Sequence, residues 1–397
     1  MKTRPGAGSR GNSHSDCPWF AAGIVPELSL VLGAPNAWGR IRPGLRGPGY
    51  VVHQQQLADW LGDCLPGGIA ADLPLELAPL RGDAGFRRYY RVASRPSLIA
   101  TYAPPATENT LAFVTKGLAL ARSGTHVPRI HAVDYRRGFV AQEDLGDALM
   151  LAGLGPENRD LRYAAALAAL VRIQTTVCDP AVFPVYSAAL LRDEMALFPQ
   201  WFIQTPLGIE LTPQERALLA DLFDLLTESA GAQPKVVVHR DYHSRNLLLL
   251  DDGDVGVVDF QDAVAGPLSY DQVSLLRDCY HRLPEADLVR YRDQYLAAAQ
   301  QAGLLQVETH QFVRWFDFMG LQRHIKVLGI FCRLWLRDGK VGYLKDLPLV
   351  IRYVLEVAAR YSETRPFAAW FEARLLPSLT SQPWYSPWER AGETCAP

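Results

Sequence analysis

Cysteine is scarce and unpatterned in this chain: six residues in 397 (Cys17, Cys64, Cys178, Cys279, Cys332 and Cys395), with no Cys-x-x-Cys spacing. That scatter argues against a disulfide framework and against a cysteine zinc cluster, so the thiols read as reduced packing residues. Long apolar runs are missing too; nowhere do about 18 apolar residues follow one another, so no bilayer span is expected. Charge of one sign is also missing. With 40 Lys and Arg against 42 Asp and Glu, there is no basic field to recruit phosphate backbones or acidic lipid, and neither nucleic acid nor a membrane is an expected partner. No repeat of about 20 to 50 residues is visible, which excludes a solenoid. What the chain does have is core material: 49% hydrophobic and 21% charged residues suffice for one large globular unit or two linked lobes.

Residues 1–50 begin Gly-, Ser- and Arg-rich, and Pro26 and Glu27 interrupt their one mildly apolar patch. A disordered extension is expected there rather than a signal peptide. A short helix over 54–64 follows, ended by Gly67 and Gly68. FRRYYRV and the segment after Arg95-Pro96 mix aromatic and branched residues and predict a hairpin; residues 110–124 carry apolar side chains at helical spacing; 129–134 and 138–143 predict two more strands. Residues 51–145 therefore read as a small lobe, an antiparallel sheet with a helix. From Glu157 helical patterns dominate, over 157–177, 187–204, 212–229, 269–282, 285–302, 308–336 and 343–362, giving a larger lobe over 146–376 and a tail over 377–397. The fold class expected is α+β.

One stretch interrupts the helices. KVVVH (235–239), NLLLL (246–250) and VGVVDF (255–260) are short apolar strands joined by turns dense in Asp and Asn. Asp251, Asp252 and Asp254 are ordinary turn formers. Asp241 and Asn246 lie in one loop and Asp259 at a strand end, so a compact hairpin can bring all three to one rim. Magnesium-assisted phosphoryl transfer needs such a set: hard oxygen ligands for the cation, and one carboxylate for the attacking hydroxyl. Asn246 and Asp259 are assigned to Mg²⁺ and Asp241 to the hydroxyl. His239 and Arg240 complete an H-R-D-x-x-x-x-N spacing, that of kinase catalytic loops. A second reading lets His239, Asp241 and His243 chelate zinc, but leaves Asn246 and Asp259 without a role. Arg245 either solvates the loop or contacts phosphate or substrate.

Gly82-Asp83-Ala84-Gly85 precedes the first long strand, where a phosphate-covering loop would lie, and Arg87, Arg88 and Arg91 follow at once. Strand alternation sends Arg87 and Arg91 to one face and Arg88 to the other. Glu143, Asp144 and Leu145 sit where the chain crosses between lobes, positioned to offer backbone groups to an adenine ring.

Together, GDAGFRRYYRV, APP (103–105), VPRIHAVD, EDLGD, HRDYHSRNLLLL, VVDFQDAVAGPLSYDQVSLLRDCY and LQRHIKVLGIFCRL resemble the aminoglycoside phosphotransferase superfamily of protein-kinase-like small-molecule kinases. Within it they resemble the bacterial N-acetylmuramate/N-acetylglucosamine kinases of cell-wall recycling. The resemblance runs from about Gln54 to Phe371. It implies a bilobal kinase fold and a cytoplasmic enzyme that uses ATP and Mg²⁺ to phosphorylate the anomeric hydroxyl of an amino sugar. It also implies Asp241 as base and Asn246 and Asp259 as metal ligands. There are two departures from the protein-kinase pattern. No lysine occurs from Pro79 to Pro105, so Arg87 or Arg88 must neutralise phosphate charge; and Phe260-Gln261 replaces Phe-Gly, leaving Gln261 and Asp262 to hydrogen-bond sugar. The chain then runs directly to Gly266-Pro267 without an activation segment, which disfavours a protein substrate. Other small hydroxyl compounds, such as an aminoglycoside, choline or homoserine, remain alternative acceptors, and a catalytically silent nucleotide-binding module is the rival of another class. Sugar recognition is expected from His243, Arg245, Arg277, Arg323 and Lys326, the last two being cations suited to the lactyl carboxylate of N-acetylmuramate. Asp271 reads as a brace for the catalytic loop.

Overall fold

The computed structural model describes residues 49–393, apart from 66, 68, 72–73 and 81–84. All but the last two residues of the expected N-terminal extension, together with Gly82, lie outside the described residues; Gly49 and Tyr50 already belong to the first helix, Gly49–Cys64.

Alternating apolar and polar residues build the small lobe. Strand Arg88–Val92 buries Tyr90 and Val92, and Leu98–Tyr102 is buried along nearly its whole length. They pair antiparallel, Tyr90 opposite Ala100. The sheet continues on one side to Leu77–Pro79 and on the other through Phe139–Glu143 to Ile130–Asp134, five strands in all. Its core comprises Leu98, Ala100, Phe139 and Ala141 with Leu57, Trp60 and Leu61 of the first helix. Helix Thr110–Arg122, capped by the side chain of Asn109, contributes Phe113, Val114 and Leu120 to the core of the larger lobe.

The larger lobe is helical, as its periodicity predicts, but three boundaries move. The helix expected over 269–282 stops at Leu276, because Arg277 takes up a non-helical conformation and delivers Asp278 and Tyr280 to the catalytic loop. The segment 187–204 divides into Ala188–Met195 and a π-helical turn, Phe198–Gln204, that contains Pro199. Residues 343–362 begin as a 3₁₀ turn and become the helix Leu347–Ala358.

The three strands expected over 235–260 do not form one hairpin. Lys235–Val238 pairs with Val264–Pro267, and Leu247–Leu249 pairs with Val255–Val257. Two separate ribbons result, and the loop 239–246 crosses from one to the other. The segment after the interlobe crossing binds the second ribbon: Met150 N–H donates to Leu247 O at 2.8 Å and Leu249 N–H to Ala148 O at 2.7 Å. The catalytic loop is thereby tied to the chain entering the helical lobe.

Candidate active site

Among the described residues, two break the backbone rule that side-chain-bearing residues avoid positive φ: Arg240 at 78° and Asp259 at 67°. Each sits at a ribbon end, and such conformations persist only where surrounding contacts hold them. For Arg240 those contacts are numerous. Its N–H donates to Asp271 at 3.0 Å, its carbonyl accepts from Arg323 Nη1 at 2.9 Å, and its guanidinium pairs with buried Glu194. Asp259 is followed by Phe260, whose ring stacks on Phe113 with centroids 4.9 Å apart, and by Gln261, whose carbonyl accepts from Lys116 Nζ at 2.7 Å. Helix Thr110–Arg122 thus clamps the segment carrying Asp259. Gly117 makes the approach possible: a Cβ there would stand 3.1 Å from the Phe260 ring.

These constraints place Asp241, Asn246 and Asp259 on the wall of one cleft of about 1150 Å³ between the lobes. Asn246 Nδ2 donates to Asp241 O at 2.9 Å and approaches Asp259 Oδ2 at 3.4 Å, so one amide spans both sides of the trio. With Nδ2 engaged, Asn246 Oδ1 is its remaining donor to a cation, while Asp259 is exposed. A pair of hard oxygen donors completed by phosphates and water suits Mg²⁺, which binds through one or two carboxylates rather than a full protein cage. Gln261 Nε2 donates to Asp259 Oδ1 at 2.7 Å, orienting that carboxylate. The zinc reading gains no support from the geometry: His239 is buried with its Nε2 donating to Val258 O at 3.0 Å, and no group of three His, Cys, Asp or Glu suited to a metal occurs among the described residues.

Burial alone would push the Asp241 carboxyl up, but Lys326, Arg323, His243 and Arg240 together hold it below the usual carboxylate value. Burial likewise depresses the His243 imidazole, with Asp278 and Asp241 opposing, which favours its neutral form.

The remaining expected site residues divide by place. Gly85, Arg87, Glu143, Asp144, Leu145, His243, Arg245, Gln261 and Asp262 line the cleft. Within that set Asp144 spends its carboxylate on structure, accepting from Arg91 at 2.6 Å, Ser97 at 2.7 Å and Gly146 N–H at 3.0 Å. Arg87 pairs with Glu108 at 2.8 Å and lies over the Phe113 ring. Four residues are elsewhere. Arg88 is exposed and donates to the Gly85 and Arg87 carbonyls, because the strand turns its side chain to the other face. Arg277 is buried against Asp317 at 2.6 Å. Arg323 and Lys326 lie behind the loop, both donating to the Tyr270 hydroxyl, with Lys326 also paired to Glu194 at 3.1 Å. They reach the loop from the rear and do not line the cleft. Sequence reading overlooked Glu194, Lys116 and Glu108. Nothing local marks Glu194; for Glu108, the position just before the Asn109 cap was the available clue.

The sequence profile of the phosphotransferase enzyme family matches residues 76–316. The chain belongs to that family. Similar relatives are the N-acetylmuramate/N-acetylglucosamine kinases from Pseudomonas aeruginosa, 42% identical over 78% of this chain and 93% of that protein, and from Neisseria meningitidis, 37% identical over 80% and 94%. Among solved structures the phosphotransferase chain resembles Plasmodium vivax ethanolamine kinase (TM-score 0.55, 11% identity, 78% of this chain and 90% of that one). It also resembles the ADP-bound aminoglycoside phosphotransferase APH(2'')-Ib (TM-score 0.50, 13% identity, 76% and 98%). These likenesses establish the protein-kinase-like bilobal fold. The enzyme is a kinase acting on an acceptor hydroxyl.

Proposed function

We propose that the enzyme transfers the terminal phosphoryl group of ATP to the anomeric hydroxyl of N-acetylmuramate or N-acetylglucosamine. The observation that carries this reading is the gathering of Asp241, Asn246 and Asp259 on one cleft wall, in a chain 37–42% identical to kinases named for those two sugars. Asp241 accepts the hydroxyl proton as the oxygen attacks; its neighbouring cations keep it ionised and ready to do so. Mg²⁺ held by Asn246 and Asp259 would supply neutralisation of phosphate charge. Arg87, fixed by Glu108, adds a cation on the small-lobe side of the cleft, in place of the missing strand lysine. The backbone from Glu143 to Leu145 borders the same cleft and is the candidate seat of the adenine.

Among the described residues no helix is long and apolar enough to cross a membrane. A cytoplasmic location, where ATP and recycled wall sugars meet, accords with the proposed substrates. The test is a proton and phosphorus NMR assay with each sugar and ATP·Mg²⁺. A new anomeric phosphate signal is expected; phosphate at another hydroxyl, or none with either sugar, would overturn the reading.

A further inference from the structure

Three arginines and no lysine line the cleft among the described residues: Arg87, Arg91 and Arg245. Two are committed. Arg87 pairs with Glu108, and Arg91 divides its guanidinium between Asp144 and Asp147, each at 2.6 Å. Arg245 forms no ion pair within 4 Å of any carboxylate among the described residues, although its charge reaches the Asp346 carboxyl; its guanidinium carbon lies over Tyr280, 3.5 Å from the ring centroid. Arg323 and Lys326, which sequence suggested for an anionic substituent, are sealed behind the loop. Arg245 is therefore the cleft cation still able to take up a new anion.

Its surroundings are built rather than incidental. Tyr280 is fixed by its own N–H to Asp278 at 3.0 Å, receives the edge of His243 at 5.3 Å, and stacks toward Phe331 at 6.4 Å. Phe331 in turn meets Tyr343 at 5.0 Å. Tyr280, Phe331 and Tyr343 all border the cleft, giving an aromatic wall on the helical-lobe side. The His243 Nδ1 beside it is buried without a partner. Apolar walls with a few convergent polar groups are the usual make-up of small-molecule sites, and the planar guanidinium fork matches a carboxylate bidentately. Stacking on Tyr280 orients that fork in advance.

We propose that Arg245, held on Tyr280, recognises the lactyl carboxylate of the acceptor and sets the preference for N-acetylmuramate over the uncharged N-acetylglucosamine. The proposal rests on the amino-sugar kinase reading above. It assigns Arg245 to specificity and makes no claim on the transfer step itself.

The experiment compares kcat/KM for the two sugars, at saturating ATP·Mg²⁺, in the wild type, Arg245→Met and Arg245→Lys, with thermal melting as a control for folding. In Arg245→Met the ratio of N-acetylmuramate to N-acetylglucosamine is expected to fall by about 10- to 100-fold, the range for removing a charge-assisted hydrogen bond. Arg245→Lys, keeping charge without the fork, should fall in between. If both sugars lose activity equally, Arg245 serves the loop or the phosphates and the proposal is overturned while the kinase reading stands. A wild type that accepts only N-acetylglucosamine overturns it as well. A wild type inactive on both sugars overturns the kinase reading itself, and the specificity assignment with it.

Discussion

The carboxylate of Asp271 accepts the backbone N–H of His239 at 2.6 Å, and its second oxygen accepts that of Arg240 at 3.0 Å. One buried side chain at the start of helix Ser269–Leu276 thus sets the path of the chain into Asp241. Burial pushes the Asp271 carboxyl up to about 6, with His239 and the two N–H groups opposing. Asp271→Ala leaves a buried donor, His239 N–H, and a half-buried one, Arg240 N–H, unpaired, the buried one costing about 1–3 kcal/mol. A lowered melting temperature together with lowered kcat is expected; unchanged kcat in the folded variant would show that the loop holds its shape without this brace.

Asp241→Asn retains shape and removes the proton acceptor. General-base catalysis contributes about 10²- to 10⁴-fold, so kcat should fall within that range. Calorimetric titration with ATP should show nucleotide affinity close to that of the wild type. Turnover at the wild-type rate would remove Asp241 from the mechanism.

Arg87 is the proposed stand-in for the strand lysine, and Glu108 aims it. Arg87→Met should raise the KM for ATP and lower kcat, about tenfold or more in kcat/KM, as expected for one charge-assisted contact. Glu108→Gln should do the same more weakly, since the guanidinium remains but loses its anchor. Steady-state kinetics with ATP varied separates these effects from changes in sugar KM, which should be small.

Stability should also report on Glu215, which caps helix Pro213–Gly231 with Thr212 and accepts from Trp370 Nε1 at 3.0 Å. The Trp370 and Thr212 hydrogen bonds hold its carboxyl down to about 2, against an ordinary value of 4.5. A depressed folded-state pKa means the contribution is complete above 4.5 and is lost as pH falls toward 2. Melting temperature measured across that window should decline less steeply in Glu215→Gln than in the wild type. Parallel declines would show that the cap does not titrate with folding.

Much of the architecture was legible because its signals are local. Strand alternation in FRRYYRV, helical spacing in 110–124 and the Asp-x-x-x-x-Asn loop each follow from neighbours in sequence, and the sheet and loop form where they indicate. Strand pairing was less accessible. Lys235–Val238 chooses Val264–Pro267 over the nearer Leu247–Leu249, and only long-range packing distinguishes partners of equal hydrophobicity.

The cations show the division most clearly. By itself the sequence determined which residue types stand at the loop and at what spacing, because covalent order fixes both. Tertiary structure alone decided which cations meet the cleft. Helix Thr309–Asp338 is buried on every side from Trp315 to Gly329, so its periodicity names no inward face, and Arg323 and Lys326 could be assigned only by seeing what packs against them. The same packing turned Arg245 onto Tyr280, a neighbour 35 residues later in the chain that no local pattern could have selected.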